Sequence, residues 1–168
     1  MLLNFLLILA AIIILLSIFI IILKNKIDSL ESYIKNLFNI RTNIIPSLFE
    51  VSRSSLIRHE EIFREIIKLR KISFSERSLG RSLSEMIGTE QLIHNELNFI
   101  FKVCNRHKKL LINGKFIYLR DLVISSSSNI GDYLKLYKNI VKKYNLLIRI
   151  KNYSIIGLLI PIETKEEF

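Results

Sequence analysis

The chain has 168 residues, half of them hydrophobic, and its mean hydropathy of +0.35 is high for a soluble protein. This composition excludes an intrinsically disordered chain, and the single cysteine excludes a disulfide framework and a CxxC redox pair. Five glycines and two prolines argue against a turn-rich β-sandwich or barrel. The net charge of +10 is uneven, because residues 97–162 hold twelve basic and two acidic residues. A membrane-associated helical protein is therefore expected.

Residues 5–23 form an apolar run in which Ser17 is the only polar side chain. A helix of these 19 residues is about 28 Å long, close to the ~30 Å hydrocarbon core of a bilayer. The Ser17 hydroxyl can bond back to the preceding turn. A cleaved signal peptide is the alternative, but no basic residue precedes the run and no small-residue cleavage site follows it. The sequence therefore predicts a transmembrane anchor over residues 1–23. The residues expected to anchor the chain in the membrane include Phe5, Leu9, Ile13, Leu16, Ile20 and Leu23.

Basic residues follow the apolar run at once and set the expected orientation. Lys24 and Lys26 flank its carboxyl end, whereas its amino end carries only the terminal amine. The positive-inside rule then places residues 24–168 in the cytoplasm. We expect a single-pass protein whose first partner is the lipid bilayer.

A nearly heptad apolar stripe runs over residues 27–51, and Arg41 is its one position that is not apolar. No glycine or proline precedes Pro46, so this helix should continue directly from the anchor. Pro46 removes a backbone donor and should kink the helix near Thr42. Arg41 is expected to pair with a carboxylate, and the candidates are Glu50, Glu96 and Asp121.

Three further helices are predicted from the apolar spacing. The first covers residues 57–72 and is followed by a loop over residues 73–80. The next covers residues 83–104, and the last begins after Asn113, which is a good N-cap, and is weakened by the serines at 125–128. The apolar face of the helix over residues 83–104 is expected to hold Met86, Leu92, Ile93, Leu97, Ile100, Phe101 and Cys104.

Amphipathic helices joined by short loops bury their stripes only by packing against one another. We therefore expect an all-α fold in which the transmembrane helix continues into an antiparallel four-helix bundle. The predicted division is an anchor over residues 1–23 and a bundle over residues 24–168, whose short tail starts at about residue 151.

The sequence offers few groups with catalytic or metal-binding chemistry. His59 and Glu60 lack the second histidine of a zinc helix, because residue 63 is Phe. Cys104 and His107 are only two ligands, and a buried cysteine packed as a small hydrophobe is the simpler interpretation. We expect no metal, no cofactor and no enzymatic activity. An enzyme is the alternative, and it would need a buried polar cluster with perturbed pKa values.

The basic second half has three interpretations. It could attract anionic lipid, it could bind nucleic acid through phosphates, or it could be a solvated face charged by composition alone. The last is favoured, anionic lipid is second, and nucleic acid is the least favoured partner. The residues concerned are Lys102, Arg106, Lys108, Lys109, Lys138, Lys142 and Lys143.

The segment Ile40–Glu50 resembles the hallmark of the LemA family, in which a basic residue precedes D-L-I-P-N-L-V-E. A His-Glu pair stands at the family's position near residue 59, and residues 110–145 align without gaps with the family's last helix. Asn43 and Ser47 depart from the pattern. The matching positions are Arg41, Asn43, Ile45, Pro46, Leu48, Glu50, His59, Glu60, Asn113, Phe116, Tyr137, Tyr144 and Asn145.

This resemblance implies a single-pass protein of the bacterial inner membrane with a helical-bundle domain. The family has no established enzymatic activity, cofactor or ligand. The expected role is therefore that of a structural or interaction protein, a scaffold for an unidentified protein partner or for a second copy of the chain.

Overall fold

The computed structural model describes residues 2–56, 60–152 and 164–166. The elements in chain order are α1 (Leu2–Ser52), a 3-10 turn (Arg53–Ser55), α2 (Glu60–Ser78), α3 (Leu83–Cys104), α4 (Lys108–Leu111) and α5 (Gly114–Asn152). No strand occurs within these three ranges. The expected all-α fold, with a long apolar helix followed by further helices, is therefore confirmed.

Helix α1 runs for 51 residues and carries the apolar run at its amino end. Its most apolar 18-residue window has a mean hydropathy of 3.6 and is only 6% buried. In the described part of the chain it is the one helix long and apolar enough to cross a membrane. The helix continues from this window into the amphipathic stripe, as the absence of glycine and proline before Pro46 predicts, and it extends past Pro46 to Ser52.

Helix α2 extends to Ser78, so the prediction of a loop over residues 73–80 is wrong. The helix continues because Ser73 and Glu76 point inward at helical spacing and are buried. The turn that terminates it contains Gly80, whose φ of 69° lies in the left-handed region. The amide of Arg81 donates to the carbonyl of Glu76 at 3.1 Å, a pattern typical of a glycine-terminated helix.

Helix α3 has the predicted bounds and begins with a capping box. The Ser82 hydroxyl accepts from the amide of Glu85, and the Glu85 carboxylate accepts from the amide of Ser82 at 2.7 Å. The expectation that Leu92 belongs to the buried face is wrong, because its side chain is 53% exposed. The inward position is taken by Glu90, which lies seven residues after the buried Leu83.

Helix α5 starts as the sequence predicts. The side chain of Asn113 accepts a hydrogen bond from the amide of Phe116 at 3.0 Å, which satisfies one donor of the first turn. The serines at 125–128 do not interrupt the helix. Ser125 and Ser126 each donate to a carbonyl three residues earlier at 3.0 Å, so their hydroxyls are satisfied within the helix.

The described helices divide into two compact units, and each long terminal helix contributes to both. The central unit comprises Tyr33–Tyr133. Segments of α1, α2, α3 and α5 supply one apolar core there, with Phe63, Ile66, Ile93 and Phe116 among its most buried members. Four helices sharing one core is the arrangement that the amphipathic stripes predict.

The terminal unit comprises Met1–Ser32 and Leu134–Phe168. It buries Ile27 and Ile148 completely, and a short piece of the tail joins it. The amide side chain of Asn145 donates to the carbonyl of Lys165 at 2.8 Å and accepts from its amide at 3.0 Å. The Lys165 ammonium lies 2.9 Å from Asp28, so the tail is tied to both helices of this unit.

Tyr137 makes the terminal unit sensitive to alkaline pH. Burial raises the pKa of Tyr137 to about 12, and the carboxylates of Glu31 and Asp28 add to the rise. An unfolded tyrosine ionises near pH 10, whereas folded Tyr137 stays protonated until about pH 12. The unfolding free energy therefore keeps its full value below pH 10 and falls between pH 10 and 12. We expect Tyr137→Phe to reduce the fall in unfolding free energy over this window, measured by denaturant titration of the helical circular dichroism signal.

Tyr118→Phe is the matched control, because Tyr118 is 65% exposed. It should leave the pH dependence as in the original chain. An equal fall in the unfolding free energy of all three proteins between pH 10 and 12 would contradict the assignment of this pH dependence to Tyr137.

Candidate functional site

A buried polar network joins α1, α2 and α3 inside the central unit. We call it the Glu90 network, and its members are Arg41, Thr42, Arg70, Ser73, Arg77 and Glu90. Arg41 and Glu90 are each only 2% exposed, although both occupy positions that an apolar side chain normally fills. Buried charges of this kind are retained only when they are paired and hydrogen-bonded.

The Glu90 carboxylate is saturated by donors from two other helices. Arg41 Nη2 lies 2.7 Å from Oε2 of Glu90 and also donates to the Glu90 backbone carbonyl at 2.9 Å. On the other oxygen, Ser73 donates through its hydroxyl and Arg77 Nη1 lies at 3.3 Å. Both carboxylate oxygens are thus occupied, and Glu90 holds α1 and α2 against α3.

Thr42 is the second junction of the network. Arg77 Nη2 donates to its hydroxyl at 3.1 Å, and that hydroxyl in turn donates to the Phe38 carbonyl at 2.9 Å. The Thr42 carbonyl would bind the amide of residue 46 in an ordinary helix, but Pro46 has no amide hydrogen. Arg70 Nε from α2 donates to this carbonyl at 2.9 Å and replaces the missing donor.

A second acidic residue lies at the edge of the network. Glu76 accepts from the Thr89 hydroxyl at 3.1 Å, and Arg81 approaches the same oxygen at 3.5 Å. Its other oxygen and Arg41 Nε are buried without a hydrogen-bond partner in the described residues. Each such atom costs about 1–3 kcal/mol, so this polar interior is not optimised for stability alone.

Positive charge exceeds negative charge inside the network, with three guanidinium groups around one carboxylate. Burial lowers the pKa of Arg77. The carboxylates of Glu90 and Glu76 oppose that shift, and the nearby Arg70 and Arg41 add to it. Arg41 Cζ also lies 5.7 Å from the centre of the Phe38 ring, close enough for a cation–π contact. Because its one carboxylate is fully engaged, the network is suited to holding helices in register.

The predicted partners of Arg41 are wrong, because neither Glu50, Glu96 nor Asp121 pairs with it; its partner is Glu90. Glu50 and Asp121 are exposed to solvent. A signal for Glu90 is present in the sequence. It interrupts the heptad stripe of α3 as Arg41 interrupts the stripe of α1, and two opposite charges at inward positions are expected to meet.

The positions that carry the family resemblance have several structural roles. Ile45, Leu48 and Phe116 are core residues of the central unit, and Tyr137, Tyr144 and Asn145 are buried in the terminal unit. Exposed positions are Asn43, Pro46 and Glu50, while Asn113 caps α5. Glu60 is the first residue of α2, and His59 lies outside the described residues.

The other candidate groups do not assemble into a site. Cys104 is fully buried, and burial raises the pKa of its thiol to about 11. His107 directly precedes α4. The described residues contain no group of three His, Cys, Asp or Glu side chains that could hold a metal ion. All seven basic residues singled out by sequence are exposed: Lys102, Arg106, Lys108, Lys109, Lys138, Lys142 and Lys143.

Disrupting one side of the Arg41–Glu90 pair should cost more than replacing both partners. We expect Glu90→Ala to lower the unfolding free energy by about 3–5 kcal/mol, because it leaves the buried Arg41 guanidinium without its carboxylate. Arg41→Met should also be destabilising, because Glu90 then keeps only Arg77 as a charged partner. The double variant Arg41→Met with Glu90→Ala should lose less than the two single losses combined. Urea unfolding followed by circular dichroism measures all four proteins in one cycle.

Glu61→Ala is the control for the acidic deletion, since Glu61 is exposed on α2. Its effect should stay within about 0.5 kcal/mol. Strictly additive losses at positions 41 and 90 would show that the pair does not act as a unit.

The bond from Arg70 to the Thr42 carbonyl should depend on Pro46. In the original chain, Arg70→Met leaves that carbonyl without a donor, and we expect a loss of about 1–2 kcal/mol in unfolding free energy. In a Pro46→Ala background the new amide can bind the carbonyl, so the same change should cost clearly less. A loss of equal size in both backgrounds would contradict this coupling. The four proteins are compared by chemical unfolding.

Comparison with known proteins adds one finding to this geometry. Residues 31–168 match the LemA family, which is 138 of the 168 residues and includes every member of the Glu90 network. No curated protein matches the chain. The matched region begins within α1 and extends through α5, in agreement with the resemblance carried by Ile40–Glu50. The chain therefore belongs to the LemA family.

Proposed function

We propose that this LemA-family chain is a membrane-anchored interaction protein of the bacterial inner membrane. The amino-terminal part of α1 holds it in the bilayer, and the helical units on the cytoplasmic side bind a protein partner. The observation that carries this proposal is the contrast along α1. Phe5, Leu7 and Leu15 are each more than 60% exposed, whereas Ile27 and Ile34 on the same helix are completely buried.

The energetic argument supports insertion of that exposed segment. Leucine, isoleucine and phenylalanine each favour the bilayer centre by about 0.3–0.6 kcal/mol, which amounts to roughly 5–10 kcal/mol over the run. The one polar side chain is satisfied, because the Ser17 hydroxyl donates to the Ile13 carbonyl at 2.9 Å. Of the six anchor residues, Phe5, Leu9 and Leu16 are exposed, Ile13 and Leu23 are partly buried, and Ile20 is 4% exposed within the terminal unit.

Orientation is part of the same proposal. Lys24 and Lys26 are exposed directly after the apolar segment, and basic residues at that place favour the cytoplasmic side. A reporter fused after Phe168 should therefore be active in its cytoplasmic form. Activity restricted to the outside of the membrane would reverse the proposed orientation.

Binding is favoured over catalysis by the state of the buried acids. In the described part of the chain the two buried carboxylates are Glu76 and Glu90, and both lie beside arginine. A general base needs a carboxylate free to accept a proton from substrate, whereas Glu90 already accepts at both oxygens. These contacts support a structural role for the network, and hence a role for the surface in binding a partner or a second copy.

The anchor is tested by placing charges in the exposed segment of the full chain. We expect the original chain to remain in membranes washed with alkaline carbonate. Leu9→Arg with Ile13→Arg should be released or degraded, because each central arginine opposes insertion by about 2.5–3.5 kcal/mol. The matched control is Leu9→Ala with Ile13→Ala, which keeps the segment apolar.

Two results would contradict the anchor. One is release of the original chain by carbonate, and the other is a mature protein whose mass shows that it begins after residue 23. For the interaction role, crosslinking in native membranes followed by capture of the full chain should recover a partner that the double-arginine variant does not.

A further inference from the structure

The two units separate the basic residues into two sets with different surroundings. Lys102, Arg106, Lys108 and Lys109 belong to the central unit, whereas residues 134–152 of α5 belong to the terminal unit together with the anchor. That part of α5 carries six basic residues and no acidic one. The basic residues of 134–152 are therefore the ones that share a unit with the apolar segment.

Helices α1 and α5 run in opposite directions in the terminal unit. The rings of Tyr33 and Tyr133 are 4.5 Å apart, and four residues later Tyr137 lies near Asp28 and Glu31. At 1.5 Å per residue, the eleven residues from Tyr137 to Ile148 span about 16 Å. This brings the end of α5 level with about residue 19 of α1.

Burial at both positions agrees with this register. Ile148 is 0% exposed and Ile20 is 4% exposed, although Arg149, Phe19 and Ile21 beside them are exposed. The last turns of α5 therefore lie beside the carboxyl end of the apolar segment, where a spanning helix would leave the hydrocarbon core.

Charged and apolar side chains share the outer face of α5 at this level. Lys142, Lys143, Leu146, Arg149 and Ile150 are all exposed and fall on one side of the helix at spacings of three and four. Leu146 and Ile150 are each 58% exposed. An exposed apolar pair among basic residues is typical of a helix that lies in the membrane interface.

Two of the nearby acids are already engaged by a cation of the tail. Asp28 lies 2.9 Å from the Lys165 ammonium and Glu31 lies 3.9 Å from it, so both are engaged by the tail. Lys24 and Lys26 on α1 are also exposed and contribute two further positive charges. We define the basic collar as Lys24, Lys26, Lys142, Lys143 and Arg149.

We propose that the basic collar docks the end of α5 onto the phosphate groups of anionic phospholipids, with Leu146 and Ile150 directed toward the acyl boundary. This inference rests on the proposed anchor. Lysine and arginine can place their aliphatic stems along apolar surface while their charged heads reach phosphate. Near an anionic surface each basic residue strengthens binding about fivefold.

The test uses the full chain in nanodiscs of phosphatidylcholine alone or mixed with phosphatidylglycerol. Leu146→Cys is labelled with a polarity-sensitive fluorophore, and the buried Cys104 stays unlabelled under native conditions because its thiol pKa is raised to about 11. We expect emission to shift toward the apolar value only in discs with phosphatidylglycerol, and high salt to weaken the shift.

Charge variants assign the shift to the collar. Lys142→Glu with Lys143→Glu should weaken the docking more than tenfold, so that most of the shift is lost at the phosphatidylglycerol content that gives half of it in the original chain. Lys142→Gln with Lys143→Gln should give a smaller change in the same direction. The matched control is Lys108→Glu with Lys109→Glu, which changes the same charge in the central unit and should leave the shift intact.

Each contrary outcome has a distinct meaning. Equal emission in both kinds of disc, or equal loss in the control, overturns the docking of α5 on anionic lipid. Failure of the original chain to enter any disc overturns the anchor instead. If a short single-stranded DNA binds through Lys142 and Lys143 and phosphatidylglycerol produces no shift, the surface serves nucleic acid and the lipid proposal is wrong.

Discussion

The central unit depends on one carboxylate. Glu90 accepts from Arg41 and Arg77, so its place in α3 fixes the positions of α1 and α2 at the same time. A purely apolar seam would tolerate a shift of one turn between helices, because one aliphatic side chain replaces another with little loss. A buried charge does not tolerate that shift, since it would be left without its partner. The buried polar groups are therefore satisfied in only one arrangement of the three helices.

The terminal unit follows a different principle, because it joins parts of the chain that are far apart in sequence. Asn145 holds the backbone of Lys165 by two hydrogen bonds, and the Lys165 side chain then reaches Asp28 near the start of the chain. The side-chain amide of Asn145 and the ammonium group of Lys165 thus connect α5, the tail and α1. The Lys165 side chain also engages Asp28 and Glu31, two acids that would otherwise offset the charge of the lysines of α1 and α5. The contact that holds the tail therefore also affects the surface charge of this unit.

Much of the fold could be predicted from the sequence because the helices obey simple periodicity. The bounds of α3 and the cap at Asn113 follow from apolar spacing and from the preference for asparagine at a helix start. Glu90 and the end of α2 escaped prediction for one reason. A pattern that treats charged and hydroxyl side chains as outward cannot place Glu90 or Ser73 inside. The available signal is that Glu90 interrupts the apolar stripe of α3, and the packed structure shows that it is the carboxylate that meets Arg41.

The Thr42 carbonyl loses its helical donor because of Pro46 and gains one from Arg70, so the effect of a substitution at either position depends on the other. An arginine at position 70 is harmless opposite a carbonyl that already has its helical donor. A proline acquired first would strand an acceptor against the neighbouring helix. A chain with alanine at position 46 and arginine at position 70 therefore satisfies this carbonyl, whereas a chain with proline and methionine there leaves it without a donor.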